Sequence, residues 1–120
     1  MTVRRLKTYT GNTGYVYQYY FVGKRPAKVD PREAPAIEYV FDVTSDRKST
    51  HPIGVLLSQA TLDAWARAHG RALTDAEQYA AVKMRLFQGF DELENLARGG
   101  ATLLVDSEAL ETALALLGVD

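Results

Sequence analysis

The apolar residues of this chain change their spacing once, near Ser58, and that change limits the fold more than any other feature. Before it they alternate, as in strands with one covered face. After it they recur every three or four residues, as along one side of a helix. The pattern predicts a single α+β domain over 1–120, with a strand half at about 1–57 and a helical half at about 58–120. A chain of 120 residues buries roughly two thirds of its unfolded surface, so it needs neither disulfide nor metal to hold a core.

Four strands are expected. Residues 3–10 run into Gly11-Asn12-Thr13-Gly14, whose glycines and asparagine suit a hairpin turn. The return strand over 15–22 is dense in aromatic and β-branched residues. Between 24 and 35 stand Pro26, Pro31 and Pro35 among charges, and this segment is expected to be a mobile loop. Residues 36–44 alternate, with Ile37, Tyr39, Phe41 and Val43 on one face and Glu38, Asp42 and Thr44 on the other. After a polar turn, 51–57 brings His51, Ile53, Val55 and Leu57 to one side.

Beyond Ser58, a cap followed by Leu62, Trp65, Ala66 and His69 reads as a short helix stopped by Gly70. Thr74 and Glu77 have the spacing of a capping box. The helix behind them carries the stripe Tyr79, Val82, Leu86, Phe90, Leu93 and Ala97, and is expected to end near Arg98. Its wet side is expected to hold Ala81, Arg85, Gln88, Glu92 and Asn95. Thr102 to Val105 could add a fifth strand. A last, very apolar helix is expected to be capped by Ser107, with Leu110, Ala113, Leu114 and Leu117 facing inward. The order β-β-β-β-α-α-(β)-α predicts a four- or five-stranded, mainly antiparallel sheet with helices on one face.

Composition excludes more than it assigns. With no cysteine there is no disulfide, thiol catalysis or iron–sulfur cluster. The start, Met1 to Lys7, is basic but lacks the apolar run of a signal peptide. No stretch reaches the roughly 20 apolar residues of a membrane span, so a cytoplasmic protein free of membranes is expected. The net charge of −1 hides an asymmetry: residues 1–32 sum to +6 and residues 91–120 to −6. The simpler reading is that the two ends neutralise each other within or between chains; the sharper one is a basic binding face.

No dinucleotide, phosphate-loop, zinc-protease, calcium or nucleophile-elbow motif is present, and no cofactor or metal is expected. His51, at a strand start, is the candidate for acid–base work, with Asp42 or Glu38 as its carboxylate. Glu38 and Asp42 share a strand face about 13 Å apart, too far for a glycosidase pair. His69, in a last helical turn, reads as structural. The lean is toward a protein that is not an enzyme.

What remains is aromatic. Tyr15, Tyr17, Tyr19 and Phe21 project from one face of the second strand, and Val16, Gln18, Tyr20 and Val22 from the other. A strand apolar on both sides is covered twice or offers an adhesive surface. The plainer reading makes the Tyr/Phe row the core face, meeting Tyr39 and Phe41. The sharper one exposes rings among Tyr15, Tyr17, Tyr19 and Tyr20 beside Lys24, Arg25, Lys28 and Arg32. Such a surface suits a protein partner or a second copy, and less readily single-stranded nucleic acid.

Overall fold

In the computed structural model, which describes residues 6–11, 14, 16–28, 35–44, 48–92 and 101–119, alternation gives strands and the longer period gives helices, as expected. The strands are β1 (Lys7–Thr10), β2 (Val16–Lys28), β3 (Pro35–Thr44), β4 (His51–Ser58) and β5 (Ala101–Val105). The helices are α1 (Gln59–His69), α2 (Asp75–Glu92) and α3 (Ser107–Leu116). The sheet order is β1-β2-β3-β4-β5. The first four strands pair antiparallel, which short turns permit. β5 lies parallel to β4, and the parallel return is made through α1 and α2. The result is a half-barrel with three helices among the described residues and an α+β architecture.

One contiguous core joins every layer. Tyr17, Tyr19, Tyr39, Phe41, Val43, Ile53, Val55, Leu57, Leu103 and Val105 contribute the covered sheet face. Trp65 of α1, Val82, Leu86 and Phe90 of α2, and Leu110 and Leu114 of α3 close over it. Helix α2 is fastened to β1 and β2 by rings. Tyr9 stacks on Phe87 and Tyr17 on Phe90, each at 4.5 Å between centroids, while Phe21 meets Tyr79 edge-on at 5.1 Å. Such pairs add about 0.5–1.5 kcal/mol each beyond the area they bury. At the end of α2 the Tyr9 hydroxyl donates to Asp91 Oδ2 at 2.7 Å. That bond, then burial, pushes the phenol up to about 12.

The helix ends follow local chemistry. The Ser58 hydroxyl accepts the Thr61 amide, and Gly70 closes α1 at φ 76°, where a side chain would be strained. The capping box forms: the Thr74 amide donates to Glu77 Oε1 and the Glu77 amide to Thr74 Oγ1. Arg71 grips the same carboxylate with Nη1 and Nη2, at 3.0 and 2.9 Å. The Arg71 guanidinium, with the Thr74 amide next, holds the Glu77 carboxyl down at about 2.

Several expectations are corrected. Lys24 to Lys28, expected in the mobile loop, continue β2 after a bulge between Phe21 and Gly23. Past Tyr19 the only described neighbour of β2 is β3, and an edge strand tolerates Pro26. Ala81 is not on a wet side; it is buried, because α3 packs on a second flank of α2. The cap of α3 is Asp106, which accepts the Ala109 amide at 2.7 Å, and not Ser107. Leu117 closes that helix and is 43% exposed, not inward. Residues 1–5, Asn12, Thr13, Tyr15, 29–34, 45–47, 93–100 and Asp120 lie outside the described residues, and with them the expected helix end near Arg98.

Leu114→Ala, at a fully buried position, is expected to cost about 2–5 kcal/mol, whereas Leu116→Ala, at 72% exposure, stays within about 0.5 kcal/mol. Urea unfolding midpoints separate the two. Because the Glu77 carboxyl is held below its ordinary 4.5, its contribution to stability is complete above that pH and is lost as pH falls toward 2. The stability gap between wild type and Glu77→Gln should therefore be constant at neutral pH and close across that acidic window.

Candidate functional site

With the aromatic row pinned under α2, the alternate side chains of the same strands turn to the opposite face. There stand Val16, Gln18 and Tyr20 of β2, Glu38, Val40 and Asp42 of β3, Leu56 of β4 and Leu104 of β5. No helix among the described residues packs on this face. Val16 and Leu104 are each 45% exposed; Val22, left without a partner by the bulge, is 39% exposed. Tyr20, Val40 and Leu56 are half-buried between them.

The polar groups of this face satisfy one another. The Tyr20 hydroxyl donates to Asp42 Oδ2 at 2.8 Å, across the β2–β3 register. Arg25 Nε donates to Glu38 Oε1 at 2.6 Å, again between directly paired residues. The Glu38 side chain is only 15% exposed, because it lies flat over Gly54 of β4, where a Cβ would run into its carboxylate. Gly54 is thus the opening that lets a charged side chain lie down on an otherwise apolar surface. Sequence reading missed this device, although a glycine in mid-strand is itself a sign of close approach.

At the β5 edge the surface turns a corner. A cavity of about 420 Å³ opens between α2, β5 and α3, with Leu104, Met84, Ala113 and Leu116 among its walls and Asp106 and Glu108 at its polar side. Arg85 Nε donates to the Leu104 carbonyl at 3.1 Å, which fastens α2 to the edge strand. Its Nη1 is sealed from solvent and has no partner among the described residues.

The residues singled out from sequence scatter. Tyr17 and Tyr19 are buried under α2 and offer no free ring face for a base to stack on. Tyr20 is on the uncovered face, bonded to Asp42. Arg25 is there too, whereas Lys24, one residue earlier, projects to the other side, with its Nζ 5.8 Å from the Tyr39 ring centroid. Lys28 ends β2 opposite Pro35. Tyr15 and Arg32 lie outside the described residues. His51 pairs with Val43, whose side chain belongs to the covered face, while Pro52 pairs with Asp42. The imidazole and the two carboxylates therefore leave the sheet on opposite sides, and the expected His51–Asp42 or His51–Glu38 couple is not assembled.

His69 stacks on Trp65 at 4.2 Å, and its Nε2 lies 2.8 Å from Glu111 Oε1, which ties α1 to α3. Among the described residues no three side chains are grouped to hold a metal, and no helix is long and apolar enough to cross a membrane. No protein-family model matches the chain, and no match is found among curated proteins or solved structures.

Gly54→Ala is expected to destabilise by displacing Glu38, and the penalty should shrink when Glu38→Ala is already present. A double-mutant cycle should return a coupling of at least about 0.5 kcal/mol. Strict additivity would mean that the two positions do not constrain each other.

Proposed function

We propose that this chain is a non-enzymatic, cytoplasmic interaction module that self-associates, packing the uncovered face of its sheet against a second copy. The observation that carries the reading is the pairing of exposed Val16, Val22 and Leu104 with polar groups already satisfied at home. Because Asp42 has Tyr20 and Glu38 has Arg25, a covering surface need bring no counter-charge. A surface of the same neutral, apolar character suffices, and an identical copy supplies it through a two-fold contact. Stacked sheets sit about 10 Å apart with interdigitating side chains, which the low relief of valine, leucine and a flattened glutamate permits.

Size is adequate. Five strands about 4.8 Å apart, with β4 running about 26 Å, present roughly 500 Å² in projection. Side-chain relief and the corner at Leu104 enlarge this toward the ~800 Å² per partner of a standard interface.

Sedimentation equilibrium tests the reading. The chain should be dimeric in the micromolar range, and Leu104→Glu or Val22→Glu should weaken association at least about thirtyfold, the effect of roughly 2 kcal/mol for an unpaired buried charge. Both substitutions should leave the thermal midpoint of the monomer unchanged. A wild-type monomer at high micromolar concentration, or variants that dimerise as well as wild type, would overturn it; capture of a different protein by the same face would move the proposal to another occupant.

A further inference from the structure

The cavity between α2, β5 and α3 is lined by charges of both signs that do not meet. At about 420 Å³ it has the size of a small-molecule site. Met84, Leu104, Ala113 and Leu116 give it apolar walls, and Arg85, Asp106 and Glu108 bring one cation and two carboxylates. Arg85 is oriented by its Nε, which donates to the Leu104 carbonyl at 3.1 Å, while its Nη1 is closed to water and without an acceptor. The ion pairs among the described residues join Arg25 to Glu38, His69 to Glu111 and Arg71 to Glu77, and none balances Arg85.

Backbone bonds hold the opposite charges apart. Asp106 lies two residues beyond Leu104, about 7 Å along the chain. Its Oδ1 accepts the Ala109 amide at 2.7 Å, so turning toward Arg85 would uncap α3. Glu108 stands in the first turn of the same helix. A guanidinium spreads its charge over three nitrogens, so an anion on the edge that faces the cavity balances the whole group.

We propose that this cavity binds a free α-amino acid with an aliphatic side chain. The ligand carboxylate pairs with Arg85, its ammonium with Asp106 and Glu108, and its side chain lies against Met84 and Leu116. Two charge-assisted hydrogen bonds of about 2.8 Å, with the two-carbon width of an α-amino acid between them, bridge a gap of this order. A simple anion would meet two carboxylates for one guanidinium, and a simple amine would leave the half-buried guanidinium without a partner. A zwitterion answers both signs at once. Of the cavity's walls only Leu104 also belongs to the proposed self-association face, so either proposal can fail without the other.

The test is an NMR titration of methyl resonances in the full chain with L-leucine, beside probes that each lack one part of it. Isocaproate lacks the ammonium, isoamylamine the carboxylate and glycine the aliphatic group. Saturable shifts at the Met84 and Leu116 methyls are expected with leucine, and each truncated probe should bind at least about tenfold more weakly. Arg85→Gln should weaken leucine binding about tenfold or more, and the exposed Glu108→Gln about threefold or more. Thr112→Phe, at an exposed wall position, should block binding while every charge stays in place. Absence of saturation with leucine, or a truncated probe that binds as tightly, overturns the site. So does wild-type affinity in Arg85→Gln or Glu108→Gln with the fold intact by circular dichroism; Glu108→Gln decides if the loss of the Leu104 bond unfolds Arg85→Gln.

Discussion

The structure depends on the seam of rings between β1–β2 and α2. Tyr9, Tyr17 and Tyr19 come from adjacent strands and Phe87 and Phe90 from one helix, and together they decide which face of the sheet is covered. A strand with rings on one side and valines on the other could bury either. The rings prevail because each buries more area than a valine and gains from stacked and edge-on geometry as well. The covering helix also meets the hydroxyls: Tyr9 has Asp91, and the Tyr17 hydroxyl donates to the Phe90 carbonyl at 3.4 Å. Once α2 is committed to that side, the valine side is left to water or to a partner.

The same commitment shapes the rest of the molecule. Helix α2 presents a second flank to α3, which is why Ala81 is enclosed and why Arg85 lies half-buried with one nitrogen sealed off. Helix α1 reaches α3 through the His69–Glu111 contact, and its Trp65 ring meets both the His69 ring and the Arg71 guanidinium, the latter 5.3 Å away. Arg71 then turns its other side to Glu77 at the start of α2. One arginine thus links the packing of α1 to the capping of α2, so the connection between them is set by charge geometry as well as by the glycine that ends α1.

Much of this was legible in the sequence, and the rest was not for identifiable reasons. Periods of two and of three to four are carried by burial on one side, so Ile53-Gly54-Val55-Leu56-Leu57 and the Tyr79-to-Phe90 stripe announced themselves. Ser58, Gly70 and the Thr74–Glu77 box were readable because their partners are within a few residues. The bulge at Val22 was not, because it depends on the register with β3, and it decides that Lys24 takes the covered face and Arg25 the uncovered one. Asp106 and Ser107 are both capping residues by type, and only the chain's entry angle chooses between them. The candidate site was the least legible part. That His51 and Asp42 face apart follows from pairing His51 with Val43, and that Glu38 lies over Gly54 follows from pairing across three strands. Long-range register leaves no local trace.

The charge asymmetry along the chain becomes, in the fold, an asymmetry across the sheet. The β1–β2 side carries Lys7, Lys24 and Lys83 against Asp91, and the β5 side carries Asp106, Glu108 and Glu111 against Arg85. Two sheets packed face to face can be related by a two-fold axis along the strands or across them. An axis across the strands sets β1 over β1 and basic edge over basic edge. An axis along the strands sets β1 over β5, so that each basic edge faces an acidic one. The charged groups sit on the helix side, beyond the sheet spacing of about 10 Å and therefore near or past the ~8–10 Å screening length of physiological salt. Their contribution to affinity is small for that reason, but they still steer the encounter, favouring one orientation while apolar contact supplies the attraction.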